Sequence, residues 1–146
     1  MKKEIILLVV FTSILVLVLS FLSENKKIEI PKTLKIGGVT LNIEVADTNI
    51  KRELGLSGRE GLQENEGLLF IFDKEDYWGF WMKDMNFPID IAWLDKNKKI
   101  IYIKSDVSLA TYPEVFSPTA PALYVLEVNS RFFENHQIKI GDLAEF

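Results

Sequence analysis

The stretch Ile5–Leu22 constrains this chain most: it has no charged residue and only Thr12, Ser13 and Ser20 as polar members. A helix packed on one side of a soluble core keeps a polar face at helical spacing. This run is apolar all round. As an α-helix it would extend roughly 27 Å, close to the hydrocarbon thickness of a bilayer. It therefore predicts a transmembrane helix. The alternative is a cleaved signal, whose apolar part is shorter and ends in small residues around the cut. The exit here reads Leu19-Ser20-Phe21-Leu22-Ser23, and Phe21 puts bulk where a small residue is wanted. We therefore read residues 1–23 as an uncleaved anchor, with export after signal cleavage as the alternative. Lys2 and Lys3 precede the run and favour a cytoplasmic N-terminus. The expectation is a single-pass protein of the cell membrane, attached through Ile5–Leu22, with its C-terminal part outside the cytoplasm. Residues 24–33, polar and ending near Pro31, read as a linker, and residues 34–146 as one globular domain.

Charge narrows the partners. The chain carries a net −4, and Lys2, Lys3 and Glu4 contribute +1 of the first 23 residues, which leaves −5 for the rest. An acidic domain is poorly suited to nucleic acid, because phosphate binding draws on clustered cations. There is no cysteine, which excludes disulfides, thiolate nucleophiles and zinc–cysteine sites. A single histidine, His136, does not build a histidine-rich metal site. No cofactor is implied, and no Gly-x-x-x-x-Gly-Lys phosphate loop occurs.

Within the domain, short strands dominate. Val39, Leu41, Ile43 and Val45 alternate with polar residues, and Gly37-Gly38 before them supplies a hairpin turn. Asp47 or Thr48 caps a short helix that Gly55 closes, with Ile50 and Leu54 expected to face the core. Leu68 to Phe72, Tyr77 to Met82, Ile89 to Leu94, Lys99 to Lys104, Ala122 to Val128 and Ile138 to Ile140 read as further strands. Asp95-Lys96-Asn97-Lys98 reads as a hairpin loop, and Ser130 to Asn135 as a helical turn. The expected fold is mainly β (α+β): a compact antiparallel sheet, barrel-like, with one or two short helices.

Three blocks resemble a known family. They are Arg52-Glu53-Leu54-Gly55-Leu56-Ser57-Gly58-Arg59, then Gly67-Leu68-Leu69-Phe70-Ile71-Phe72, then Phe80-Trp81-Met82-Lys83-Asp84-Met85-Asn86-Phe87-Pro88-Ile89-Asp90-Ile91. With Tyr124 to Val128 and Ile138 to Asp142, they resemble the bacterial and archaeal domain of unknown function 192 over Val39 to Leu143. The resemblance implies a compact β-rich fold, often exported or membrane-attached, with no established activity. Family members often have an Asn-Thr pair where Asp84-Met85 stands, so a role resting on that hydroxyl does not carry over.

The candidate site centres on Phe80 to Asp90. Lys83, Asp84 and Asp90 lie where strands give way to a loop, the usual place for function. Lys83 could hold an anion, and Asp84 or Asp90 could act as a general base; the structural alternative has Asp90 accepting backbone N–H bonds with Lys83 as ion partner. Arg52 and Arg59 could converge with Lys83 on an anionic group, or pair with acids such as Glu53, Asp90 or Glu127. Glu127 stands on an otherwise apolar strand, where it needs a partner, arginine being the natural one. Among the aromatics, alternation sets Trp78 and Phe80 on one side and Tyr77 and Trp81 on the other. One pair then belongs to the core, and Trp81 is a candidate for ligand stacking. Met82 and Met85 could offer thioethers to a soft metal, although core filling is commoner. Three readings follow: a tethered module binding a small anionic or polar molecule or an envelope partner; a hydrolase using Asp84 and Asp90 with Lys83; and a structural envelope protein.

Overall fold

The structure is a computed structural model that describes Lys3, Glu4 and residues 30–146. Apart from Lys3 and Glu4, the anchor expected over 1–23 lies outside the described residues. Among those residues, no helix is long and apolar enough to cross a membrane.

Six strands form one sheet: β1 (Thr33–Ile36), β2 (Val39–Ala46), β3 (Glu66–Asp76), β4 (Ile89–Leu94), β5 (Ile100–Val107) and β6 (Ala122–Asn129). Helix α1 (Asn49–Leu54) joins β2 to β3, and α2 (Phe132–Asn135) follows β6. The spatial order is β1-β2-β3-β6-β4-β5. The Gly37-Gly38 turn closes the β1–β2 hairpin, with φ of 55° and 79° at the two glycines. Both values lie in the left-handed region that glycine enters at no steric cost.

Two expectations about the sheet are corrected. It is mixed rather than antiparallel, because β2 and β3 run parallel, with Val45 opposite Leu69. A parallel pair needs a crossover of a dozen or more residues. The segment from Asp47 to Asn65, α1 included, is that crossover. The sheet is also open: β1 and β5 are its edges and do not pair. The C-terminal segment, not a strand, reaches both edges. Glu145 exchanges two 2.9 Å backbone hydrogen bonds with Lys35 of β1. Asp142 and Gly141 bond to Ile100 at the head of β5, each at 2.9 Å. Two expected strands are absent. Ile138 to Ile140 leads into a turn, and Tyr77 to Met82 pairs only through a single bridge from Phe80 to Phe116.

Strand β4, between β6 and β5, is buried along its whole length, Asp90 included. Alternation divides the core between the two faces of the sheet. On one face Leu34, Leu41, Leu69, Leu94, Leu126 and Phe133 pack together. On the other are Leu56, Phe70, Met82, Ile91, Trp93 and Val125. The candidate site belongs to this second face.

Candidate functional site

Thr48 caps α1 by accepting from the Lys51 N–H at 3.4 Å, as the sequence suggests. The helix buries no residue: Ile50 and Leu54 are 81% and 60% exposed, contrary to expectation. The reason lies just beyond it. Gly55 turns the chain at φ 52°, and Leu56 is the residue driven into the core. So anchored, α1 stands off the sheet as a wall.

The opposite wall is the stretch Trp78 to Trp81. It leaves β3 and crosses the loop that holds Phe116, where Phe80 and Phe116 exchange two 2.8 Å backbone bonds. Gly79 permits that crossing, since a Cβ there would stand 2.7 Å from Val115 Cγ1. Trp78 stacks on Phe72 with ring centroids 4.0 Å apart and planes 9° apart. Phe80 meets Phe70 and Trp93 edge-on at 4.8 and 5.9 Å. Trp81 stands half exposed at the rim. Between the walls is a cleft of about 480 Å³, lined by Arg52, Leu54, Phe72, Trp78, Trp81 and Met85 among others, with Glu127.

Glu127 lies on β6, opposite Leu68 of β3 and Ile91 of β4. Its neighbour two residues back, Val125, belongs to the second core face, so strand alternation aims the carboxyl that way. The residue is 5% exposed, and its Oε2 meets no hydrogen-bond partner. Burial pushes its pKa up to about 8, against a smaller opposing pull from Arg59. At neutral pH the carboxyl is therefore mostly protonated and able to donate. The indole Nε1 of Trp78 is likewise buried without a partner. Among the described residues these are the only two such side-chain atoms, and both belong to residues lining this cleft.

The cations expected to converge are occupied. Arg52 donates to the carbonyl oxygens of Ile71 and Asp47 and, at 2.8 Å, to Asn49 Oδ1. Its guanidinium sits 5.3 Å from the centre of the Phe72 ring. Arg59 makes a two-pronged bond with Glu44 at 2.6 and 2.8 Å. That bond holds the Glu44 carboxyl below its ordinary range and raises the Arg59 guanidinium. Lys83 does not line the cleft; its Nζ lies 5.9 Å from the centre of the Trp81 ring. The Lys83 loop does meet the turn after α1, but through backbone. Ser57 Oγ donates to the Lys83 carbonyl at 2.9 Å, the Gly58 N–H to the Asp84 carbonyl at 2.8 Å, and Asn86 Nδ2 to the Arg59 carbonyl at 2.9 Å.

Asp90 and Asp84 do not share a cleft. Asp84 is exposed, with φ 55°. Asp90 is fully buried and opposite Val128 of β6, on the first core face. Its Oδ1 accepts from the N–H groups of Asp106 and Arg131 at 2.7 and 3.0 Å, and its Oδ2 from Phe133 at 3.1 Å. Asp106 and Arg131 have φ of 51° and 64°. One carboxylate thus satisfies two left-handed corners and the entry to α2. Met82 is buried in the core while Met85 lines the cleft, so the cleft receives only one of the two thioethers. No group of three or more His, Asp or Glu suited to a metal ion occurs among the described residues.

Of the sequence candidates, the cleft gathers Arg52, Trp81, Met85 and Glu127. It adds Phe72, which the sequence presents only as the end of an apolar run, and Trp78, one of the aromatic pair that alternation could assign to the core.

These features define an open mixed-sheet β domain with an aromatic cleft over a buried acid. The chain belongs to the family DUF192, described as "Uncharacterized ACR, COG1430", which matches residues 32–146. Two solved structures are similar to it. One is a protein of unknown function from Novosphingobium aromaticivorans DSM 12444, 26% identical, with a TM-score of 0.72 over 78% of this chain and 84% of that one. The other, from Sinorhizobium meliloti 1021, is assigned provisionally as a transcription regulator. It is 25% identical, with a TM-score of 0.73 over 77% of this chain and 91% of that one. No curated protein matches the chain.

Proposed function

We infer that this domain is a small-molecule binding module, held outside the cytoplasm by the anchor at Ile5–Leu22, and that the aromatic cleft is its binding site. One observation supports this above the rest: the two unpartnered buried polar atoms, Glu127 Oε2 and Trp78 Nε1, both belong to residues of one cleft. A buried polar group without a partner costs on the order of 1–3 kcal/mol. A ligand supplying the missing partners recovers that cost. Apolar walls with a few polar groups are the usual make-up of a ligand site.

The hydrolase reading asks for two carboxylates across an open cleft; a buried Asp90 holding three backbone N–H groups does not supply one. The Sinorhizobium neighbour's provisional assignment would suggest DNA, but an acidic domain lacks the clustered cations that phosphate binding uses.

The test is a thermal-shift screen of the full-length chain against neutral saccharides, amides, carboxylates and amines. A compound that stabilises the wild type but not Trp81→Ala, a change at the exposed rim, supports the site. Stabilisation unchanged in Trp81→Ala contradicts it, and no stabilising compound favours the structural envelope reading. Retention in the membrane fraction through an alkaline wash supports the anchor, and release contradicts it.

A further inference from the structure

Taking the cleft as the binding site, we propose that it selects an uncharged ring compound whose carbonyl or ether oxygen meets the buried, unpartnered carboxyl of Glu127. Three ligand charges can be weighed against the groups around that carboxyl.

An anion finds little to hold it. On α1, the Arg52 guanidinium is engaged by two backbone carbonyls and Asn49, and on the following turn Arg59 is engaged by Glu44 of β2. Lys74 of β3 pairs with Asp76 at 3.0 Å. The same walls contribute Glu53 of α1 and Asp73 of β3, both repelling an anion. Glu66 at the start of β3 adds to the acidic surroundings of Arg59.

A cation fares no better. Arg52 already covers a face of Phe72 and Trp78 stacks on that ring, which closes it to a second cation. To pair with Glu127 a cation must also create a buried carboxylate. The pull of Arg59 leaves that carboxyl with its pKa at about 8, so desolvation dominates there.

A neutral acceptor meets neither obstacle. It takes one hydrogen bond from the Glu127 O–H and can take a second from the Trp78 N–H, satisfying both orphaned atoms. Phe72 is itself engaged by Trp78 and Arg52, so the flat apolar surface offered to a ring is that of Trp78 and Trp81. β4 brings no charge to this side, because the Asp90 carboxylate faces the other.

Three probes of one shape decide the matter: acetophenone, benzoate and benzylammonium, added at millimolar concentration to full-length chain labelled with 5-fluorotryptophan. The chain has three tryptophans, so its fluorine spectrum reads Trp78 and Trp81 against the core Trp93. Acetophenone, whose carbonyl accepts and which has no N–H or O–H to donate, is expected to move the Trp78 and Trp81 signals most. Its affinity should fall on the order of 30-fold between about pH 6.5 and about pH 9.5, as a donor with a pKa of about 8 is lost. Glu127→Gln keeps an N–H donor and should bind acetophenone equally at both pH values. Glu127→Leu should lose it at both. If benzylammonium or benzoate binds more tightly, or if acetophenone ignores pH in the wild type, the ligand class is wrong while the cleft stands as a binding site. If none of the three moves the Trp78 or Trp81 signals, the binding reading fails along with it.

Discussion

Two buried acids, Asp90 and Glu127, sit one strand apart on opposite faces of the same sheet, and they are treated oppositely. Asp90 is fully buried and holds three backbone N–H groups. Glu127 is almost as buried and holds none at Oε2. The cost of burying a carboxyl depends on what meets it. Around Asp90 that cost secures geometry: two left-handed corners and the start of α2. Around Glu127 the cost is left open, in a cleft with room for a partner. The first acid builds the fold, and the second, which the fold leaves without a partner at Oε2, is the one we propose meets a ligand.

If that contrast is right, removing the two acids should move stability in opposite directions. The largest effect should come from Asp90→Ala, which strands three backbone donors, that of Phe133 fully buried, and should cost about 3–5 kcal/mol in chemical denaturation. Asp90→Asn can keep the oxygen that serves Asp106 and Arg131, and should cost about 1–3 kcal/mol. A neutral result for Asp90→Ala would erase the distinction.

Glu127→Gln should instead stabilise the protein near pH 7, by about 1–3 kcal/mol, because folding no longer has to protonate an acid that the unfolded chain ionises. The sign follows from the direction of the shift. The folded pKa, about 8, lies above the ordinary 4.5. Its contribution is complete below pH 4.5, declines as pH rises toward 8, and is flat beyond. Wild-type stability should therefore fall relative to Glu127→Gln across that window. Glu44, Asp47 and Asp76 are shifted downward by their ion-pair partners, so their contributions are lost only on acidification through their lowered pKa values. The two regimes separate in one pH series of melting curves.

Gly67→Ala probes how closely β3 must approach β6 beside Glu127. A Cβ there would stand 3.1 Å from the Glu127 carbonyl oxygen and 3.2 Å from Val128 Cγ1, and the expected cost is about 1–2 kcal/mol in the same denaturation assay. Smallest is Arg59→Ala. The Arg59–Glu44 pair is exposed enough to contribute only about 0.2–1 kcal/mol. Loss of Arg59 should nonetheless move the Glu127 titration upward, since Arg59 is the charge that opposes its burial.

Much of the fold is legible in the sequence. The Gly37-Gly38 hairpin, the Asp95–Lys98 turn, the Thr48 cap and the Gly55 stop are local signals and appear where the residues predict them. Glu127 stands out in the sequence as the one charge on an apolar strand. Its freedom from a partner does not, because Arg59 is close enough to pull on the carboxyl yet bonds to Glu44 instead. The parallel β2–β3 pair is hidden, since pairing between distant strands leaves no local trace and α1 reads as an incidental helix. The aromatic stretch from Tyr77 has strand composition, but Gly79 and the crossing against Val115 draw it off the sheet to wall the cleft. Ile50 and Leu54 carry core spacing on a helix too short to use it. The role of Asp90 is legible in half: it does bind backbone N–H groups, but from β5 and the approach to α2 rather than with Lys83 beside it.

The contrast between the two acids turns on the state of Glu127. Carboxyl-carbon NMR of the full-length chain, selectively labelled at glutamate and assigned with Glu127→Gln, reads its titration directly. A carboxyl that ionises at about 8, well apart from the other glutamates, is the predicted result. A Glu127 titrating with them, near 4.5, would mean the acid is already partnered or hydrated, and would contradict its being kept open for a ligand.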